Sequence, residues 1–94
     1  INYLKSLGVN YETPIVNTGV IAYFKGYDAK RTYCFRADMD ALNVEEQNDI
    51  NFKSLHPDKM HACGHDLHVA SLLGVAHILK RLEKKIISGQ IRRY

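Results

Sequence analysis

The segment His61–His68 concentrates the side chains of this chain that are best suited to bind a metal ion. It holds three histidines, one cysteine and one aspartate within eight positions. Thiolate, imidazole and carboxylate groups are the usual protein ligands of zinc. Their density here predicts a metal site, and the alternative is a helix start that carries polar residues.

Spacing alone leaves open which of these side chains share an ion. In an extended chain that rises about 3.3 Å per residue, the Cα atoms of His61 and His65 lie roughly 13 Å apart, too far for bonds of about 2.0–2.3 Å. Cys63 and His65 are closer, at roughly 6–7 Å, so they fit one ion or the two ions of a pair. Gly64 between them lets the backbone bend. His65 and His68 share a face if the helix has already begun.

Two acidic pairs precede this segment. Asp38 and Asp40 follow a predicted strand and are two positions apart, so both carboxylates can reach one side of a site at a strand end. The alternative is an Asp-rich turn. Glu45 and Glu46 are adjacent on a predicted loop, and we interpret them as solvated rather than as an acid/base pair.

Strand and helix patterns together predict an α/β fold. The segments 20–24 and 31–37 are rich in β-branched and aromatic residues, which predicts two strands, expected as antiparallel neighbours. Cys34, in the second of these, is expected to be a small buried hydrophobic residue. Residues 90–94 are typical of the start of a further strand. Between the second strand and the metal segment, residues 43–59 are polar and predict a loop.

Apolar residues from Val69 to Leu82 recur at helical spacing. This predicts a long helix over about 66–84, with Asp66 at its positive N-terminal end. A shorter helix is predicted before Gly8, a natural helix stop. The next segment, 11–16, is expected to be extended, and residues 17–19 to form a turn.

Composition excludes several classes of protein. The chain has 94 residues, enough for one small domain, and a net charge of +3. The basic residues near the C-terminus are interpreted as a solvated helix face, so no nucleic-acid partner is predicted. No apolar run is long enough to span a bilayer, and no membrane association is expected. Two cysteines make no disulfide framework, which favours a cytoplasmic setting.

Two motifs make the chain similar to a known family. Residues 35–42 (FRADMDAL) and 60–68 (MHACGHDLH), followed by Leu72-Leu73-Gly74, closely resemble amidohydrolases that cleave N-acyl amino acids. These include hippurate hydrolases, acetyldiaminopimelate deacetylases and plant auxin-conjugate hydrolases, within the metallopeptidase group that also holds aminoacylase and carboxypeptidase G. The resemblance extends across nearly the whole chain, and the two motifs in this order are highly specific.

The resemblance implies a zinc-peptidase-like α/β catalytic domain with two divalent ions, zinc or manganese. It makes Cys63 and His65 metal ligands and places Asp40 beside the metals, where it orients a ligand. Asp38 and His68 are then near the site. The implied reaction is hydrolysis of the amide bond of an N-acyl amino acid, a small-molecule substrate, by metal-activated water.

The resemblance also implies what this chain lacks. Residues 1–94 correspond to the N-terminal part of a single catalytic domain. The general-base glutamate is not in this chain, and neither is the rest of that domain or the smaller lid domain through which the full-length form dimerises. The fragment alone is therefore expected to be inactive. The alternative reading is a small binding module held by a structural zinc, with Cys63, His65, His68 and His61 as ligands.

Overall fold

The computed structural model describes residues 1–26 and 30–87. Within them the chain forms helix α1 (Asn2–Ser6), strand β1 (Asn10–Ile15), strand β2 (Gly19–Tyr23) and helix α2 (His65–Ile87). Two compact units are present. One comprises Ile1–Cys34 together with the chain from Leu73 onward, and the other comprises Phe35–Leu72.

The first unit begins with a short helix and a hairpin. Helix α1 ends as predicted before Gly8, whose φ of 65° is readily adopted by a residue without Cβ. Strands β1 and β2 pair antiparallel, with Asn10 opposite Tyr23 and Glu12 opposite Ile21. Both segments were predicted as extended, and the turn between them was predicted as well. The hairpin buries little by itself, so it depends on packing against the helices.

The core of this unit joins the hairpin to α2. Leu4, Val9 and Ala76 are buried, and further apolar side chains pack around them, namely Leu7, Tyr11, Val20, Ala22, Phe24 and Leu73. Along β2, Val20 and Ala22 contact this cluster while Ile21 and Tyr23 are exposed, as strand alternation requires. The predicted apolar stripe of α2 therefore supplies part of the core, and the long helix is confirmed.

The strand predicted over residues 31–37 is not formed. The partner of β2 is β1, which reaches it through the tight turn at residues 16–18. A preference for extended backbone does not by itself make a strand, which also needs ladder hydrogen bonds to a neighbour, and within the described residues the sheet consists of β1 and β2. Cys34 is exposed rather than buried, so that prediction is wrong as well. The strand predicted over 90–94 lies outside the described residues.

The second unit is built on the predicted loop and the start of α2. Leu42 and Met60 form an isolated antiparallel bridge with backbone hydrogen bonds of 2.9 and 3.1 Å. This bridge brings the two sequence motifs to the same end of the unit. Across the described parts of the chain, no helix combines the length and apolar character needed to cross a bilayer.

Candidate metal centre

Asp40 and His65 contact each other directly. The carboxylate oxygen Oδ1 of Asp40 lies 2.8 Å from Nδ1 of His65, the first residue of α2. A carboxylate accepts hydrogen bonds, so this contact favours the imidazole tautomer that carries its proton on Nδ1. That tautomer leaves the Nε2 lone pair for another partner. Metal-bound histidines in proteins almost always have such a carboxylate or carbonyl behind them.

The backbone at Gly64 separates Cys63 from His65 in an unusual conformation. Gly64 has a φ of 88°, and a Cβ built on it would meet no atom within 4 Å. Space therefore does not require glycine here, but the left-handed backbone does, because L-residues with a side chain rarely adopt it. The Cys63 thiol is exposed, and the His65 side chain is 24% exposed. Both groups are accessible to an ion from solution.

His68 lies one turn of α2 beyond His65. The centroids of the two imidazole rings are 5.9 Å apart, and the rings are tilted by 33° to each other. The backbone N–H of His68 donates to the carbonyl of Gly64 at 3.0 Å, which closes the first turn of the helix. The structure thus brings His68 beside His65, as its i, i+3 spacing predicts.

Asp38 is placed differently from Asp40. Its carboxylate forms an ion pair with the guanidinium of Arg36. That pair accounts for one of its oxygens, whereas the Asp40 carboxylate contacts the imidazole of His65. Of the two aspartates in the first motif, Asp40 is therefore the one placed to act on a candidate ligand.

The donor types fit a divalent cation, but the geometry of the candidate centre is incomplete within the described residues. Across 1–26 and 30–87, no three His, Cys, Asp or Glu side chains converge as a metal site would require. A structural zinc site needs four protein ligands in a closed tetrahedron. The described residues do not assemble the four-ligand module that the alternative reading requires. Cys63 and His65, with Asp40 behind the imidazole, form an open set of donors.

A cavity of about 340 Å³ lies in the same unit. Its wall combines apolar side chains with polar ones, namely Glu46, Asn48, Ile50, Phe52, Ser54, Met60, His61 and Asp66. His61 and Asp66, two residues of the motif, line this cavity. The sequence showed no sign of it, because its walls come from an irregular loop without periodic patterning.

The structure contradicts our interpretation of Glu46 as a solvated residue. It is half-buried, and its carboxylate accepts a hydrogen bond from the backbone N–H of Ser54 at 2.6 Å. Glu45, its neighbour, is exposed as expected. Sequence reasoning missed this role because the partner is a backbone group eight positions away, which no side-chain pattern reveals.

Comparison with known proteins places this chain in a family. Residues 34–92, more than half of the chain, match the model of Peptidase family M20/M25/M40. The chain belongs to this family, and the matched range includes both sequence motifs. Members of the family are generally metal-dependent. The resemblance stated from the two motifs is therefore confirmed.

Three relatives show how much of such a protein is present here. Thermostable carboxypeptidase 1 of Saccharolobus solfataricus is 49% identical over 90 residues, which is 95% of this chain and 23% of the relative. IAA-amino acid hydrolase ILR1-like 5 of Arabidopsis thaliana is 45% identical over 83 residues, 88% of this chain and 19% of the relative. Putative amidohydrolase YhaA of Bacillus subtilis is 44% identical over 78 residues, which is 83% of this chain and 20% of the relative. The chain spans less than a quarter of their length.

Proposed function

We propose that this chain supplies the N-terminal part of the catalytic domain of a metal-dependent amidohydrolase. Its substrates would be N-acyl amino acids or small peptide-like amides. Membership of the family and the names of the relatives, which include carboxypeptidases, an amidohydrolase and hydrolases of amino-acid conjugates, support this proposal. The structural observation that carries it is the contact between Asp40 and His65.

In this proposal Cys63 and His65 hold the metal, with the thiolate sulfur and Nε2 as ligand atoms. Asp40 keeps the proton of the imidazole on Nδ1, fixes the orientation of the ring and leaves the Nε2 lone pair to bind the metal. The expected cofactor is a pair of divalent ions, zinc or manganese, and either suits a mixed set of thiolate, imidazole and carboxylate ligands. When bound, such ions polarise an amide carbonyl and lower the pKa of water towards neutrality.

A general base must take the proton of the attacking water and pass it to the leaving amine. We propose that neither Glu45 nor Glu46 does this. Glu46 is occupied by the backbone N–H of Ser54, and Glu45 is exposed on the loop. The base is then a glutamate outside this chain, and the 94 residues alone should hydrolyse amides negligibly.

Oligomeric state, location and partners belong to the same proposal. The working form is a homodimer that binds a small-molecule substrate. Its location is the cytoplasm, and it has no nucleic-acid or membrane partner. The weak net charge of +3 supports the absence of a nucleic-acid partner, and the presence of only two cysteines supports the cytoplasmic location.

The test uses a full-length protein that contains this segment. We expect it to hydrolyse hippurate-type N-acyl amino acids, and a chelator should abolish that activity. Cys63→Ala should remove most of the metal affinity, whereas the matched variant Cys34→Ala, also at an exposed thiol, should retain it. Wild-type turnover by Cys63→Ala would overturn the ligand assignment.

A further inference from the structure

Segment 42–60 forms a loop whose two halves are joined by a series of hydrogen bonds, from the base of the loop towards its tip. At the base, Leu42 and Met60 exchange backbone hydrogen bonds of 2.9 and 3.1 Å. One residue further in, Lys59 Nζ donates to Asn43 Oδ1 at 2.8 Å. Further in again, Ser54 N–H donates to Glu46 Oε2. The contacts are nested, so each inner one shortens the loop that the next must close.

Glu46 makes the charged contact at the inner end of this series. Its Oε2 accepts from Ser54 N–H at 2.6 Å, and its Oε1 accepts from Asn48 Nδ2 at 3.3 Å. Hydrogen bonds to an ionised acceptor are shorter and roughly twice as strong as neutral ones. Ser54 is in turn fixed to His56 through its hydroxyl, at 3.1 and 3.2 Å. Glu46 therefore connects the N-terminal half of the loop to its C-terminal half.

The base of the loop adjoins both halves of the candidate metal centre. Leu42 follows Asp40 by two positions, and Met60 precedes His65 by five. The Asp40–His65 contact spans 25 positions along the chain. With the base closed, the path between them shortens to about eight links, and the −3/2 power law for loop closure then favours the contact about fivefold.

We propose that Glu46 is a positioning residue of the metal centre. It keeps segment 42–60 closed, and the closed segment holds the Asp40 carboxylate against the His65 imidazole. Glu46 acts at a distance, through Ser54 and the Leu42–Met60 bridge. This inference rests on the proposed function, in which His65 is a metal ligand.

The first test measures the loop itself in the metal-free, isotopically labelled chain. Glu46→Ala should accelerate amide hydrogen exchange at Leu42 and Met60 by about tenfold, because the inner contact is lost. The imidazole ¹⁵N signals of His65 at neutral pH should shift towards a mixture of tautomers. Glu45→Ala is the matched control and should change neither. The amide of Val9, which is bonded to Leu4 in the other unit, should keep its protection in both variants.

A second variant, Glu46→Gln, distinguishes the loss of the charged contact from unfolding of the loop. Glutamine keeps an oxygen that accepts from Ser54 N–H but lacks the charge. Its exchange rates and His65 signals should lie between those of the parent and Glu46→Ala. Parent-like exchange at Leu42 and Met60 in Glu46→Ala would overturn the proposal, and so would His65 signals that stay unchanged while the bridge opens.

Cobalt(II) titration then tests separately whether His65 binds the metal and whether Glu46 positions it. We expect Glu46→Ala to weaken cobalt binding by a factor of up to about five, the limit reached when the Leu42–Met60 bridge is fully open, and Glu45→Ala to leave it unchanged. If His65→Ala does not alter cobalt binding by the parent chain, the proposed function fails while the loop result stands. If His65→Ala abolishes binding and Glu46→Ala has no effect, the positioning role fails and the proposed function is retained.

Discussion

The Asp40 carboxylate and the His65 imidazole meet across 25 sequence positions, with Oδ1 2.8 Å from Nδ1. The contact joins the end of one sequence motif to the centre of the other. The Asp40 side chain is 68% exposed and the His65 side chain 24% exposed, so the contact acts on the imidazole at the surface, through both its orientation and the carboxylate charge.

Removing the negative charge of Asp40, which contacts the His65 imidazole, should weaken metal binding without removing a metal ligand. Asp40→Asn keeps an oxygen that can accept from Nδ1 but loses the negative charge. In the full-length protein we expect metal affinity to fall by about 10- to 100-fold, the usual effect of changing such a partner. Competition with a chromogenic chelator measures the affinity. Asp38→Asn, at the aspartate paired with Arg36, should have a smaller effect; equal losses would contradict the assignment.

A side chain at position 64 should disturb the metal segment through the backbone. The φ of 88° at Gly64 is costly for alanine, although a Cβ there would have room. Gly64→Ala should therefore lower stability by about 1–2 kcal/mol and reduce metal affinity. Urea unfolding and metal titration measure the two effects. Gly26→Ala, at an open position of the first unit whose φ is not positive, is the control. Unchanged stability and metal affinity in Gly64→Ala would refute this prediction.

The hydroxyl of Tyr3 should stabilise the packing of α1 on α2. It lies 3.0 Å from Nδ1 of His77, and the two rings stack with centroids 6.5 Å apart. Tyr3→Phe removes the hydrogen bond and keeps the ring, so we expect a loss of about 0.5–1.5 kcal/mol. A double-mutant cycle with His77→Gln isolates the pair. A coupling energy of zero would mean that the hydrogen bond contributes nothing in solution.

Core packing in the first unit should dominate the stability of the chain. Leu4 is 6% exposed, whereas Leu55 is 93% exposed. Leu4→Ala should therefore cost about 2–5 kcal/mol and Leu55→Ala less than about 0.5 kcal/mol. Denaturant unfolding followed by circular dichroism compares the two. Similar costs for both variants would show that the small cluster around Leu4 is not the stabilising core.

Acid should selectively remove the contribution of Glu83. The hydrogen bond from Lys80 lowers the pKa of this carboxyl below its ordinary value of 4.5, against the opposing effect of burial. A lowered pKa stabilises the fold above the unfolded value, and this contribution is lost as pH falls through the folded value. Glu83→Gln should therefore be less stable than the parent at pH 7 and equal to it in strong acid. A difference that persists unchanged at low pH would contradict the assignment.

The helices follow directly from the sequence because their signals are local. The apolar stripe from Val69 to Leu82 predicts α2, and Gly8 predicts the end of α1. The strand predicted at 31–37 fails for the opposite reason. Residue type reports a preference for extended backbone, but a strand also needs ladder hydrogen bonds to a neighbour, and within the described residues the sheet consists of β1 and β2.

The resemblance named the residues of the candidate site, but the sequence did not reveal which of them contact one another. The resemblance pointed to Asp40 as a residue that orients a ligand, and the structure places its carboxylate on His65. That Cys63 and His65 bind a metal stays a prediction. Glu46 was not foreseen, because its acceptor role depends on where the loop returns, and a sequence of polar residues without periodicity leaves that open.

The nested hydrogen bonds of segment 42–60 also indicate where this protein tolerates an inserted sequence. The tip of the loop, around Asn51, lies inside the contact between Glu46 and Ser54, in a turn closed by a hydrogen bond of 3.2 Å from Lys53 N–H to the carbonyl of Ile50. An epitope or affinity tag inserted there disrupts that one turn and leaves the Glu46–Ser54 contact and the Leu42–Met60 bridge in place, so the two motifs stay together. The same tag placed between Met60 and His65 would push Asp40 and the imidazole apart.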